Sequence, residues 1–237
     1  KGSNIAGDDG DRLEVEGFVT RFVSVTDFDV SGLPVTTNGQ TTFEGGVAGD
    51  LGLDVKVEVE GSLNANGVLV ATKVDIRRGN TVRAAAVVDS VDTAADTFVV
   101  LGITVRTDAL TRIEDKSDQD MRPFSVDDLV TGNYVELRGS ELPAGSGEIL
   151  ASLVEREDVD TDTELRGFVT AENGTEIEIL GVTIVASGST QYRNAADQVI
   201  SESAFFDLID VGSLVEAKGI ETGDRLIAAE ELEIEIE

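Results

Sequence analysis

Two glycine-containing phrases recur three times along the chain in the same order, and they constrain the fold more than any other feature. The first phrase is a turn glycine between two apolar runs, and the second has the form V-E-x-x-G. The turn glycines, 70 and 79 residues apart, are Gly32, Gly102 and Gly181. The glycines that end the second phrase, 78 and 80 residues apart, are Gly61, Gly139 and Gly219. Recurrence at this period predicts a tandem array of similar modules.

The residues between these landmarks predict β-strands. Leu13–Val19 and Val55–Gly61 alternate apolar and polar residues, as half-buried strands do, and the 25 glycines suit tight turns. We expect an N-terminal tail at residues 1–11, module one at 12–78, module two at 81–157 and module three at 163–237. A helical pattern precedes the last two strands of modules two and three. In module one that region is Gly-rich, so its helix is expected to be missing or very short.

This arrangement predicts an all-β chain of three small OB-like Greek-key barrels, with a short helix in modules two and three. The phrases at 167–169, 180–184 and 215–219 resemble an uncharacterised bacterial repeat family, the domain of unknown function 5666. The resemblance is clearest in module three and loosest in module one. It implies exported or lipid-anchored envelope proteins with several OB-like barrels. Because its motifs are turn glycines and core positions, it carries over no catalytic residues.

The charge of the chain limits its partners. There are 18 basic and 47 acidic residues, which gives a net charge of −29. A field of this sign repels nucleic acid and attracts monovalent or divalent cations. It also predicts a protein that stays soluble at high salt and suits a saline environment.

The absence of His and Cys excludes most metal and nucleophile chemistry that depends on them. Carboxylate pairs remain, but with so few aromatic residues they do not favour sugar chemistry, and we expect no enzyme. No apolar run is long enough to span a membrane. A chain that starts at Lys1 is expected to be a processed product, which makes export to the cell envelope or the extracellular space an expectation.

Carboxylates at alternate positions give the main candidate metal site. Asp158, Asp160 and Asp162 have the spacing of Ca²⁺ ligands, but the glycine and the later bidentate Glu of a complete calcium loop are absent. A solvated linker is the alternative interpretation, and no other cofactor is expected. Asp115 is expected to lie in a polar loop, and Phe205 is expected to lie in the core.

The N-terminal tail gives the main candidate for an interaction. It is rich in Gly and Asp and has no periodicity, so it is not expected to be ordered by itself, and we expect it to dock on the next subunit. The residues expected to dock are Asn4, Ile5, Asp8, Asp9 and Asp11. The function that follows is a non-catalytic surface protein that self-associates, with a head-to-tail filament as its extended form. The alternative is a monomeric envelope module that binds a cation, a glycan or a protein.

Overall fold

The computed structural model describes residues 6–7, 13–53, 55–77, 81–143 and 145–236. The chain divides into two compact units. The first unit comprises Lys1–Arg78 and Leu142–Ser146, and the second comprises Gly79–Glu141 and Gly147–Glu237. Module one therefore lies in the first unit together with Leu142–Ser146 of module two, and the rest of module two and module three lie in the second. The exact module boundaries stay predictions.

Strands dominate all three modules. The N-terminal tail contributes β1 (Ala6–Gly7). Module one contains β2 (Leu13–Ser24), β3 (Asp27–Val30), β4 (Leu33–Thr36), β5 (Thr42–Glu44), β6 (Lys56–Leu63) and β7 (Leu69–Ile76). Module two contains β8 (Val82–Asp92), β9 (Thr97–Val100), β10 (Ile103–Arg106), β11 (Arg112–Asp115), β12 (Tyr134–Glu141) and β13 (Glu148–Glu157). Module three contains β14 (Thr163–Asn173), β15 (Glu176–Ile179), β16 (Val182–Val185), β17 (Gln191–Arg193), β18 (Val199–Ile200), β19 (Leu214–Gly223) and β20 (Leu226–Ile234).

Each module closes into a small barrel of five strands. In module one the ring runs β2–β3–β4–β7–β6 and returns to β2. The ring of module two is β8–β9–β10–β13–β12, and that of module three is β14–β15–β16–β20–β19. In each ring as written, the third and fourth strands pair parallel, and the other pairs are antiparallel. The predicted all-β array of three small barrels is confirmed, and the closer likeness to the OB fold stays a prediction.

The recurring glycines have two separate structural causes. At the turns, the glycine and the residue before it both have positive φ, for example 52° at Leu180 and 75° at Gly181, which the tight hairpin requires. The V-E-x-x-G glycines lie at a β-bulge, where a Cβ would collide with a carbonyl oxygen of the neighbouring strand. Those oxygens belong to Val70, Leu150 and Ala228.

The helices are shorter than the sequence pattern indicated. Module three has one α-helix, α1 (Glu202–Phe206), whose N-terminus is capped by the Ser201 hydroxyl accepting from the Ala204 N–H. In the described part of module two, the predicted helix is reduced to a single 3-10 turn at Val126–Asp128. Module one has a similar turn at Ala48–Asp50, in agreement with the expectation for that module.

The second unit has one continuous hydrophobic core. The buried apolar side chains of modules two and three form a single cluster rather than two separate barrel interiors. Phe205 of α1 is fully buried there, with its ring 5.3 Å from that of Tyr192, so its predicted core position is confirmed. The shared core follows from the way the two barrels join, which also creates the candidate functional site.

Candidate functional site

Modules two and three join through their first strands. β8 and β14 pair antiparallel, which merges both barrels into one 13-stranded sheet. The facing pairs are Glu164–Ala85, Leu165–Ala84 and Arg166–Arg83. Backbone hydrogen bonds therefore satisfy an edge that would otherwise be exposed on each barrel.

This joint has local two-fold symmetry. Val82 and Thr163 are equivalent residues, because each faces the V-E-x-x-G glycine of its own module. Ala84 and Leu165 lie two positions later, so they are equivalent as well, and they face each other at the centre of the joint. Two modules thus use the same edge in the same way, which is the geometry of an isologous contact.

Charged side chains cover the surface of the sheet across this joint, on the side away from the core. We call this surface the charged face. It is formed by Arg83, Glu136, Arg138, Glu164, Arg166, Glu216 and Lys218. Because these residues come from four neighbouring strands in register, the charges of one module lie directly against those of the other.

Three arginines lie in one row of the charged face. Arg138 faces Arg83, which faces Arg166 across the joint. The Nη2 of Arg166 lies 3.5 Å from Oε2 of Glu235, whereas Arg83 and Arg138 form no ion pair within the described residues. The Nε atoms of Arg83 and Arg166 are buried without a hydrogen-bond partner. Like charges in direct register destabilise a sheet, so this row weakens the joint.

A second row places Glu164 at the joint, between Ala85 and Lys218. Glu164 lines a pocket of about 90 Å³ together with Arg83 and Glu136. Burial has the largest effect on the pKa of Glu164, and the nearby negative charge of Glu216 has the next largest. Together they raise this pKa to about 7. Glu164 therefore changes charge near neutral pH at the contact between two modules.

Two groups of three carboxylates lie at equivalent places in modules two and three. Within each group the oxygen atoms lie within 4.8 Å of one another, and the groups are Glu136–Glu155–Glu157 and Glu216–Glu233–Glu235. Burial and the neighbouring carboxylates raise the pKa of Glu157 and of Glu233. Such a group offers three oxygen ligands to a hard cation, and Ca²⁺ needs about six to eight.

Module one has a cation of its own at the equivalent place. Glu58 faces Asp75, as Glu136 faces Glu155 in module two, and Arg77 stands where the third carboxylate would be. The Arg77 guanidinium forms ion pairs with both Glu58 and Asp75. A basic side chain therefore stands among these carboxylates in module one, where modules two and three have a third carboxylate.

A larger pocket lies in module two, beside β11 and the loop that follows it. Its volume is about 440 Å³, which is within the usual range for small-molecule sites. Its lining includes Arg112, Lys116, Met121, Arg122 and Phe124. Glu114 and Asp115 also line the pocket, and Glu114 forms ion pairs with Arg112 and Lys116. The pocket thus combines charged side chains of both signs with apolar surface.

Asp115, which lines this pocket, belongs to a buried ion pair. Asp115 and Arg156 pair with side-chain exposures of 0% and 6%, and the Arg156 guanidinium lies 4.6 Å from the centre of the Phe124 ring. The Asp115 carboxylate also accepts hydrogen bonds from Ser117 and from the Met121 N–H. The hydrogen bond from Arg156 contributes most to lowering the pKa of Asp115, and those from Ser117 and Met121 lower this pKa further. The expectation that Asp115 lies in a polar loop is wrong, because Asp115 is the last residue of β11 and its carboxylate is buried against Arg156.

Arg225 adds a second connection between modules two and three. Its guanidinium donates hydrogen bonds to the carbonyl oxygens of Gly102 and Leu180, at 2.5 and 3.4 Å. These two acceptors belong to the equivalent turns of the two modules. One side chain therefore bridges the turns that the sequence repeat first revealed.

The structure spreads the predicted calcium residues along the exposed segment before β14. The Asp158 carboxylate accepts a hydrogen bond from the Asp118 N–H, and the Asp160 carboxylate accepts from the N–H groups of Thr161 and Asp162. Among the described residues, neither group of three carboxylates includes Asp158, Asp160 or Asp162. A calcium site at these three residues stays a prediction.

The predicted docking residues of the tail, Asn4, Ile5, Asp8, Asp9 and Asp11, lie outside the described residues. Between them, the backbone of Ala6–Gly7 forms β1 and pairs antiparallel with β2 of the same chain. The expected docking of the tail on another subunit stays a prediction.

Comparison with known families agrees with the three-fold repeat. The family model for a domain of unknown function (DUF5666) matches residues 16–75, 86–155 and 166–233, once in each module. Since these matches cover most of the chain, the protein belongs to this family of tandem-repeat domains. No match is found among curated proteins. In the described part of the chain, no helix has the length and apolar character needed to cross a membrane.

Proposed function

We propose that this protein is a non-catalytic structural protein of the cell surface or extracellular space that self-associates through its barrel edges. The observation that supports the proposal is the joint between β8 and β14. It makes one sheet and one core from two modules, using the same strand edge of each. A family whose modules join in this way has a ready means of building larger assemblies.

The charge of the chain supports a role for ions in this assembly. Copies that each carry a net charge of −29 repel one another at low ionic strength. Salt above roughly 0.1 M shortens the screening length to about 10 Å, and divalent cations reduce the repulsion further. Association is therefore expected to strengthen as NaCl or Ca²⁺ is added. A head-to-tail filament is the extended form of this proposal.

The test is the mass of the full-length protein in solution. Sedimentation velocity is measured from low to high NaCl, with and without Ca²⁺, and with Mg²⁺ as a control for general divalent screening. We expect mostly monomer at low salt and a growing share of dimers or longer species at high salt. A monomer under every condition would refute the structural role.

The pocket in module two favours a second candidate function, the binding of a glycan or protein segment. The chain has a single methionine, and Met121 lies in this pocket. A ¹³C-methyl methionine label therefore gives one NMR signal that reports on pocket occupancy. Acidic and neutral oligosaccharides are the first probes, because basic side chains of the pocket favour the acidic ones. An unmoved Met121 signal across both sets would remove the glycan candidate.

A further inference from the structure

The edge of β2 in module one is the edge that modules two and three use for their joint. Leu13 faces Gly61, which makes it equivalent to Val82 and Thr163. Glu14, Val15 and Glu16 therefore occupy the positions that form the joint in the other two modules. In the described residues, this edge is paired only with the two-residue strand β1.

The exposure of side chains agrees with an edge that lacks a full partner. Arg166 and Ala85 at the joint are buried, with exposures of 9% and 8%, whereas the equivalent Glu16 is exposed. Glu164 is half-buried, whereas the equivalent Glu14 is exposed. A longer strand lying along β2 would cover the same positions in module one.

We propose that β2 of module one is the self-association site, and that its partner is β2 of a second copy of this chain. The two strands pair antiparallel about Val15, as β8 and β14 pair about Ala84 and Leu165. β1 covers this edge within a single copy and is displaced on pairing. The inference rests on the proposed function, since it names the surface and partner of that self-association.

The charges of Glu14 and Glu16 make this contact depend on the salt concentration. In the paired strands, Glu14 of each copy faces Glu16 of the other, which gives two like-charged pairs. Such pairs oppose association. The amine of Lys56 lies 3.0 Å from the Glu16 carboxylate and offsets part of this repulsion. Salt screens the rest. Three facing residues from each copy form a small contact, so the dimer is weak and reversible.

A charge exchange tests this pairing. Glu14→Lys or Glu16→Lys alone places a lysine opposite a glutamate in both facing pairs, and we expect dimerisation at low salt to tighten by about tenfold. The double variant restores like charges, so its dimerisation should weaken again. If only net charge mattered, the double variant would associate most strongly, and that order in sedimentation measurements would overturn the inference.

Cross-linking tests the register, because the chain contains no native cysteine. Glu14→Cys protein mixed with Glu16→Cys protein should form a disulfide-linked heterodimer, since facing Cα atoms lie about 5 Å apart. Each variant alone should cross-link much less, because diagonal neighbours are beyond the roughly 7 Å limit. Val23→Cys, an exposed position on the part of β2 that pairs with β3, is the control and should not link to Glu14→Cys.

The role of β1 is tested in the full chain. Ala6→Pro removes a backbone N–H from β1 and should raise the yield of the heterodimer several-fold. Association at high salt without the 14–16 cross-link would overturn the inference and leave the proposed function standing. Absence of association in every condition would overturn both.

Discussion

Glu164 gives a sharp test of the joint between modules two and three. Its pKa is about 7 in the folded protein, against an ordinary value of 4.5. Between these two pH values the folded state binds more protons than the unfolded chain, so stability falls as pH rises through this window. Converted fully into free energy, a pKa difference of this size corresponds to a loss of stability of about 3 kcal/mol. Water reaches part of the carboxylate and screens it, so we expect a loss of about 2 kcal/mol.

Glu164→Gln removes this loss. The amide stays neutral at every pH and keeps an N–H that can donate to the Glu216 carboxylate. The variant should therefore match the native protein near pH 4.5 and be more stable by about 2 kcal/mol at pH 8. Urea unfolding followed by tyrosine fluorescence suits this measurement. Both tyrosines, Tyr134 and Tyr192, lie in the second unit, so the signal reports on the unit that contains the joint.

The matched control is Glu14→Gln, at the equivalent but exposed position of module one. It should leave the tyrosine-detected transition unchanged across the same pH range. Other carboxylates also titrate in this range, so the informative quantity is the difference between variant and native protein at each pH. A difference that is constant from pH 4.5 to 8 would show that the Glu164 carboxylate does not strain the joint.

Two further substitutions probe the second unit by the same assay. Asp115→Ala leaves the Arg156 guanidinium buried without its ion-pair partner, so it should lower the free energy of unfolding by about 3–5 kcal/mol. Arg122→Ala, which breaks the exposed ion pair with Asp120, should lower it by less than about 1 kcal/mol. If both substitutions lowered the free energy of unfolding by similar amounts, the reasoning from the burial of the Asp115–Arg156 pair would be wrong. Arg225→Ala removes a hydrogen bond to Gly102 of module two and another to Leu180 of module three, and it should cost about 1–3 kcal/mol. An unchanged urea midpoint would show that these bonds do not hold the modules together.

The parts of the fold that the sequence predicts are those fixed by local geometry. A turn with two residues at positive φ selects glycine at its second position, so Gly102 and Gly181 are visible in the sequence. At the β-bulge the neighbouring carbonyl leaves no space for a Cβ, so Gly139 and Gly219 are visible too. Such constraints act on single residues and recur wherever the module recurs.

The candidate site depends on contacts between distant residues, which leave a weaker signal. Asp115 and Arg156 lie in separate runs of polar residues, and no periodicity relates them. One feature of the sequence is related to the joint. The run Ala84–Ala85–Ala86 occurs in a strand, where β-branched residues are usual. Small side chains at that place are consistent with a second strand lying close by, but they do not identify which strand it is.

The symmetry of the joint decides how association between copies would proceed. An isologous contact uses one edge from each of two modules and then closes, because no equivalent edge is left over. Modules two and three satisfy each other in this way, so neither has a free first strand. Of the three first strands, only β2 of module one, which β1 alone covers within the described residues, has this edge left for a second copy. Pairing through β2 therefore stops at a dimer, and a filament would need a second, heterologous contact such as the predicted docking of the tail.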